Sequence, residues 1–511
     1  MYSFNLVDQG WLPCVMSDGS FRELNLREIF SEAHNIRELI GDSPPETIAL
    51  HRILLAMIHR ILLGPKSAAE WGELKAATKF DSAQFNEYLD KWQSRFDLFD
   101  EKYPFYQSAA SKENVQTGAI IQLYYQGKNN ATLFDHTSTD LPKQVSPSEA
   151  ARMLVAFQGF DFGGIKSDGS AQKAVLLNAA VALFRGATLF QTLLLNLHRY
   201  NENDDAPFAL DYDKDLPAWE RGNAIVAGTR QPDGYVDLLT WQSRRLYIQP
   251  ELDAEGNVFV RNSVVMLGYA FPPNADLHQK ETMIAFRASK TEGYFAVGFS
   301  ESRALWRNSL SLLQTVSGEN FKPKMLNWLS DLVEMDEIAA DTVFSVDFYG
   351  MAADKAKLLF WNHESFDLPA EFLSDQEILN SLSLCLDVSE TIGFAVRSGV
   401  KTLADELESS PTSFQTMNAY WPQLEGEFNA LLLALPNDPD RAKSDWFGKV
   451  LNIAERALKQ TFDSLSHSAI EQKAMVEAEN EYRKQKAIAI KKNLSMWEKY
   501  LPKNFAKGGT K

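Results

Sequence analysis

A chain of 511 residues exceeds what one hydrophobic core supports and should divide into two or three domains, for which 45% hydrophobic and 12% aromatic content supply ample apolar surface. A net charge of −17 weighs against a protein coated in nucleic acid, because nonspecific affinity comes from Lys and Arg neutralising phosphates. No apolar run approaches bilayer-spanning length, and the first residues lack a charged segment leading into an apolar stretch, so no membrane partner and a cytoplasmic location are expected.

In chain order, Ser43-Pro44-Pro45-Glu46 starts a helix: the serine can cap it, the prolines tolerate the first turn, and Glu46 can reach back. Leu50, Ile53, Leu54, Met57, Ile58, Ile61 and Leu62 cover most of its circumference, which predicts an interior helix ending at Gly64-Pro65. Asp81 with Gln84 starts a second helix, on which Phe85, Leu89, Trp92 and Phe96 recur at helical spacing. The aromatic run Phe96 to Gln107 follows. Residues 126–144 form a long polar stretch without periodicity, expected to be a mobile loop, since such loops in compact domains are usually functional or disordered. Ser146-Pro147-Ser148-Glu149 starts a third helix to about Phe157, followed by Phe160-Asp161-Phe162-Gly163-Gly164-Ile165-Lys166, whose paired glycines permit positive φ or close backbone approach.

From Leu238 to Phe299 the pattern turns to short runs, Arg245–Ile248, Val258–Val260, Met283–Phe286 and Tyr294–Val297, separated by Asp/Gly/Asn turns and read as sheet. Beyond Pro369 four helical segments follow: Ser374, with Glu377, to Glu408; Ser413 to Leu435, with Pro422 expected to kink or split it; Ala442 to Leu465; and Ala469 to about Tyr500. The fold class is therefore α+β: a large mixed α/β N-terminal domain, residues 1–369, followed by a C-terminal four-helix bundle, residues 370–511. From Arg483 onward nine basic residues face only Glu498, so the last helix reads either as a phosphate-contacting strip built on Lys484, Lys486, Lys491 and Lys492, or as a solvated helix.

No catalytic constellation stands out. Asp135-His136 and His363-Glu364 lack an i, i+4 histidine or a neighbouring cysteine, no Gly-x-Ser-x-Gly occurs, and Gly163-Gly164 does not fit a phosphate loop. Cys14 and Cys385 lie far apart and read as buried thiols. No catalytic residue, metal or cofactor is expected.

Phe4-Asn5-Leu6-Val7-Asp8-Gln9-Gly10-Trp11-Leu12-Pro13, the run Phe96 to Gln107, and Thr240-Trp241-Gln242-Ser243-Arg244-Arg245 together resemble the CasA family, the large subunit of the type I-E CRISPR Cascade complex. The resemblance is strongest from Tyr2 to about Leu197, patchier to about Pro369 and thin beyond. It implies a non-enzymatic subunit in antiviral defence whose partners are other Cascade subunits with guide RNA, double-stranded target DNA and a helicase-nuclease. Guide pairing would supply sequence specificity, while this chain would read the protospacer-adjacent motif, aid strand opening and stabilise the R-loop.

By position, the resemblance assigns Asn130, Phe134, Asp135 and His136 to a loop contacting guide RNA and the complex. Gly163, with Gly164 and Lys166, matches the glycine loop that meets the minor groove. Tyr349 to Leu359 matches a wedge hairpin but carries Asp354 and Lys355 at its tip in place of an amide. A minor-groove lysine expected around Met266 to Phe271 is missing, and Arg261 and Lys280 are the nearest cations. Ordinary turns would account for the glycine segment and the hairpin equally. From other classes, the rivals are a scaffold that recruits the nuclease without reading bases and a metal-dependent nuclease.

Overall fold

The computed structural model describes residues 2–109, 143–166, 168–202, 208–221, 225–273, 275–289, 293–301, 303–316, 318–355, 357–466 and 468–502. The fold is α+β, with helix and sheet mixed in one compact unit and helices dominating a second. The first unit comprises residues 1–300, 315–340 and 344–365; the second comprises 301–314, 341–343 and 366–511.

In the first unit the helix Pro44–Leu62 is buried from Pro45 through His59, as its all-round apolar pattern implies. Ser43 caps it by accepting from the Glu46 N–H, and Leu63 closes it in the left-handed conformation. Glu46 does not complete a capping box. Its carboxylate turns instead to the Asp42 N–H at 3.1 Å and to buried Arg152 at 2.9 Å on the packed helix Pro147–Phe160, which runs one turn past the expected end. A second buried ion pair, Arg52 to Glu281, is bidentate at 2.9 and 3.0 Å.

Leu12–Met16 is the centre strand of an antiparallel sheet flanked by Phe21–Leu24 and Ile36–Leu39, a sheet the sequence reading missed. Arg244–Leu252 pairs with Val258–Leu267 along a longer ladder than expected, with a register shift at Gln249/Pro250. Two expected strands move: the first is Phe286–Ser289, with Ile284 only bridging Val181, and the second is Gly293–Ala296. The sheet of most consequence places Val343–Asp354 between Lys357–Pro369 and Ala180–Arg185.

The aromatic run welds the unit together. Leu6 N–H donates to Phe96 O and Leu98 N–H to Phe4 O, which fixes the N-terminal segment against it. Phe105 stacks between Phe96 and Tyr106, and Gln107 bonds Leu98 O while accepting from the Ile248 N–H of the neighbouring ladder.

The second unit contains the helices Gln376–Glu406, Thr416–Ala434, Pro439–Asp463 and Ala469–Lys492, the last followed by a short turn, Leu494–Trp497. Asp375, not Ser374, caps the first by accepting from two N–H groups. Pro422 neither splits nor ends its helix: it lies in the second turn, where its missing N–H removes a single bond. Residues 301–314 belong to this unit because Trp306 is buried among Trp421, Phe428 and Trp446.

Candidate nucleic-acid interface

The glycine segment forms a small antiparallel hairpin, Gly164–Lys166 with Gly169–Ala171. Its two glycines play different parts. Gly163 (φ +77°) is buried, and a Cβ there would stand 2.8 Å from Lys173 N and 2.9 Å from Ala171 O, so it lets the hairpin close on its own backbone. Gly164 (φ +82°) faces open space, and Ile165 beside it is 91% exposed. The outward edge is therefore Gly164-Ile165, and the leading match of the sequence reading, Gly163, points inward. Ile165 was overlooked, although an apolar residue between paired glycines and a charged turn is itself a signal.

The base of this hairpin is locked by charge. Asp161 is buried and takes both Arg244 and Lys166, the latter at 2.7 Å. Arg245 pairs with Asp168, which also accepts from the Leu267 N–H at 2.8 Å. Gln172 exchanges two hydrogen bonds with the Phe271 backbone, and Phe271 stacks on Trp241 with ring centroids 4.3 Å apart. The Thr240 to Arg245 signature thus holds the glycine hairpin against residues 267–271. Lys166 is correspondingly committed: burial lowers its pKa, Asp161 opposes that shift, and its ammonium is not presented outward.

Asp354 and Lys355 occupy the exposed tip of the arm made by Val343–Asp354 and Lys357–Pro369, with Lys355 at φ 53° in the turn. One residue before the tip, Ala353 exchanges two hydrogen bonds with the side chain of Asn178, seven residues after the glycine hairpin. This ties the arm to the segment that carries the hairpin. Lower on the arm, buried Asp347 is held by Arg185, His363 and Ser365; burial opposes its ionisation, but these partners more than offset that and lower its pKa. His363 is thereby a structural partner stacked on Tyr349.

Arg261 lies six residues before Leu267, roughly 20 Å along the strand, and pairs with Glu251 at 3.5 Å. Lys280 bonds Gln231 at 3.2 Å and lies over the Phe208 ring. In the helical unit Lys484 pairs with Glu481, and Lys486, 15% exposed, pairs with Glu455 of the Pro439–Asp463 helix. With Glu481 and Glu455 beside these lysines the strip is less basic than the run from Arg483 onward implies; Lys491 and Lys492 are exposed. Asn130, Phe134, Asp135 and His136, with nearly all of the 126–144 loop, lie outside the described residues.

A mixed α/β unit in a chain that also carries a helical unit is the fold of solved CRISPR-associated Cse1 chains. Residues 5–461 match the family model described as CRISPR-associated protein Cse1, and the chain belongs to that family. It is 27% identical over 504 residues to CRISPR-associated protein CasA/Cse1 of Thermus thermophilus, covering 94% of this chain and 96% of the relative. Thermobifida fusca Cse1 superposes with a TM-score of 0.81 at 25% identity, covering 96% of this chain and 98% of that one. A chain of a CRISPR RNA-guided surveillance complex shares the fold, with a TM-score of 0.76 at 19% identity, covering 95% of this chain and 100% of that one.

Proposed function

We propose that this chain is the non-enzymatic large subunit of an RNA-guided CRISPR surveillance complex, Cascade, in the cytoplasm. Family membership over nearly the whole chain is the observation that carries the reading. Within such a complex it binds other subunits and the guide RNA, reads the protospacer-adjacent motif in double-stranded DNA, helps open the strands, steadies the R-loop and recruits a helicase-nuclease.

The reading edge is Gly164-Ile165, with the Asp354-Lys355 tip as the strand-opening element. An exposed aliphatic side chain on a narrow, rigidly based hairpin suits a minor groove, where apolar wedges enter between base steps and the base code is coarse. A net charge of −17 limits nonspecific binding and leaves sequence choice to guide pairing. The internal pairing of Lys166, Lys484 and Lys486 favours a second reading, a scaffold that recruits the nuclease without touching bases.

A gel shift of the assembled complex with and without this chain separates the two, on targets that differ only in the flanking motif. Dependence of affinity on the motif only when the chain is present supports motif reading; equal affinities across motifs support the scaffold.

A further inference from the structure

A cavity of about 70 Å³ opens between the end of the aromatic run and the segment around Trp219. The side chains that give it chemical character are Arg95, Lys102, Tyr103, Ser108, Trp219 and Arg221, and no carboxylate lines it among the described residues. Arg95 and Lys102 lie over the Tyr103 ring at 3.6 and 4.9 Å, and neither has a carboxylate partner among the described residues. Among the described residues the Ser108 hydroxyl oxygen and the Arg221 Nε and Nη2 are buried without a hydrogen-bond partner, while Arg221 Nη1 donates to Asp233 and Nη2 stands in an ion pair with Asp237, each at 3.0 Å. The Trp219 indole is fixed by donating to the Tyr88 hydroxyl at 2.7 Å.

Leaving a buried donor unsatisfied costs about 1–3 kcal/mol. Several waters fit a space of this size and could satisfy the donors, but water gains nothing from the positive charge of Arg95 and Lys102, which have no carboxylate partner among the described residues. An anion with several acceptor oxygens answers both needs, since charge-assisted bonds to oxyanions are the stronger kind. We propose that this cavity binds a phosphate group, with Ser108 and Arg221 donating from within and Arg95 and Lys102 supplying charge at the mouth. Free phosphate and the phosphate of a nucleotide strand share this chemistry. The site uses neither the glycine hairpin nor the arm.

Isothermal titration of the full chain at low salt, with inorganic phosphate, with adenosine monophosphate and with a short single-stranded RNA, tests the assignment. Saturable binding of at least one is expected, weakened about tenfold in Arg95→Gln and several-fold in Ser108→Ala, and unchanged in Lys459→Gln, whose ammonium pairs with Asp463 in the helical unit. Inorganic phosphate binding as tightly as RNA assigns a free-anion site; binding of RNA alone assigns a strand phosphate, and both support the cavity. The proposal is overturned if none of the three probes binds saturably, or if Arg95→Gln and Ser108→Ala, melting at the parental temperature, bind as the parent does. No target duplex enters this assay, so its failure leaves the reading of the flanking motif untouched.

Discussion

His51 and His59 sit inside the first unit, each with its Nδ1 against a backbone carbonyl, Thr47 O at 2.8 Å and Gly64 O at 3.1 Å. Burial pushes their pKa values down from 6.5, to about 4 and about 3. Among the described residues the buried Nε2 of His59 has no hydrogen-bond partner, so a proton there would create an unsatisfied buried donor. As pH falls below 6.5 the unfolded chain binds protons that the folded chain refuses. The stability from these histidines is therefore complete above pH 6.5 and lost as pH falls toward 4, by about 1.4 kcal/mol per pH unit for each. Urea unfolding at several pH values should give a slope shallower by about that amount in His51→Gln, and an unchanged slope would show that His51 is not held neutral. The two glycines of the hairpin separate in the same assay. Gly163→Ala should cost about 2–4 kcal/mol, combining backbone strain with overpacking, whereas Gly164→Ala should cost about 1 kcal/mol from its backbone conformation alone. Equal costs would contradict their inward and outward placement.

At the scale of elements, the helices were legible because their signals are local: Ser43, Asp81 and Ser146 each accept from a first-turn N–H as their sequences imply. Ser374 misled because Asp375, one residue on, is an equally good cap. Strands were harder, since pairing partners lie far apart and ladders outrun their most apolar residues, as in Val258–Leu267. The first sheet did carry a usable sign in Asp18-Gly19, with Gly19 at φ +84°, between Leu12–Met16 and Phe21–Leu24. The tip residues Asp354 and Lys355 were legible as a turn, but the inward commitment of Lys166 was not, because Asp161 acquires Arg244 only through the fold. The same holds for the last helix, where Glu455 arrives from another helix to hold Lys486. Since exposed ion pairs are worth only about 0–1 kcal/mol, Lys484 can exchange Glu481 for a phosphate, and Lys491 and Lys492 are already exposed. If this strip meets duplex DNA, changing Lys484, Lys491 and Lys492 to Ala should reduce the log–log salt slope of target affinity by up to about 0.9 for each phosphate left without its lysine. Discrimination between flanking motifs should persist. An unchanged slope would assign the strip to solvent or to a protein partner.

For the whole molecule, the three signatures that carry the resemblance each help hold the first unit together. The N-terminal segment and the aromatic run close the first unit, and Thr240 to Arg245 fastens the glycine hairpin. A rigid mount with a small exposed tip suits a subunit that inspects a short duplex signal while RNA reads the rest. Ile165→Asp tests this most directly, because a side chain 91% exposed can change without disturbing the core, while a carboxylate placed against the minor groove opposes the phosphates. The measurement is the affinity of complexes assembled with parental or Ile165→Asp chain for duplex targets carrying favourable or unfavourable flanking motifs. Affinity for the favourable target should fall about tenfold or more, and the ratio between the two motifs should collapse toward one. Parental affinity with the ratio intact, in a chain that melts at the parental temperature, would contradict it.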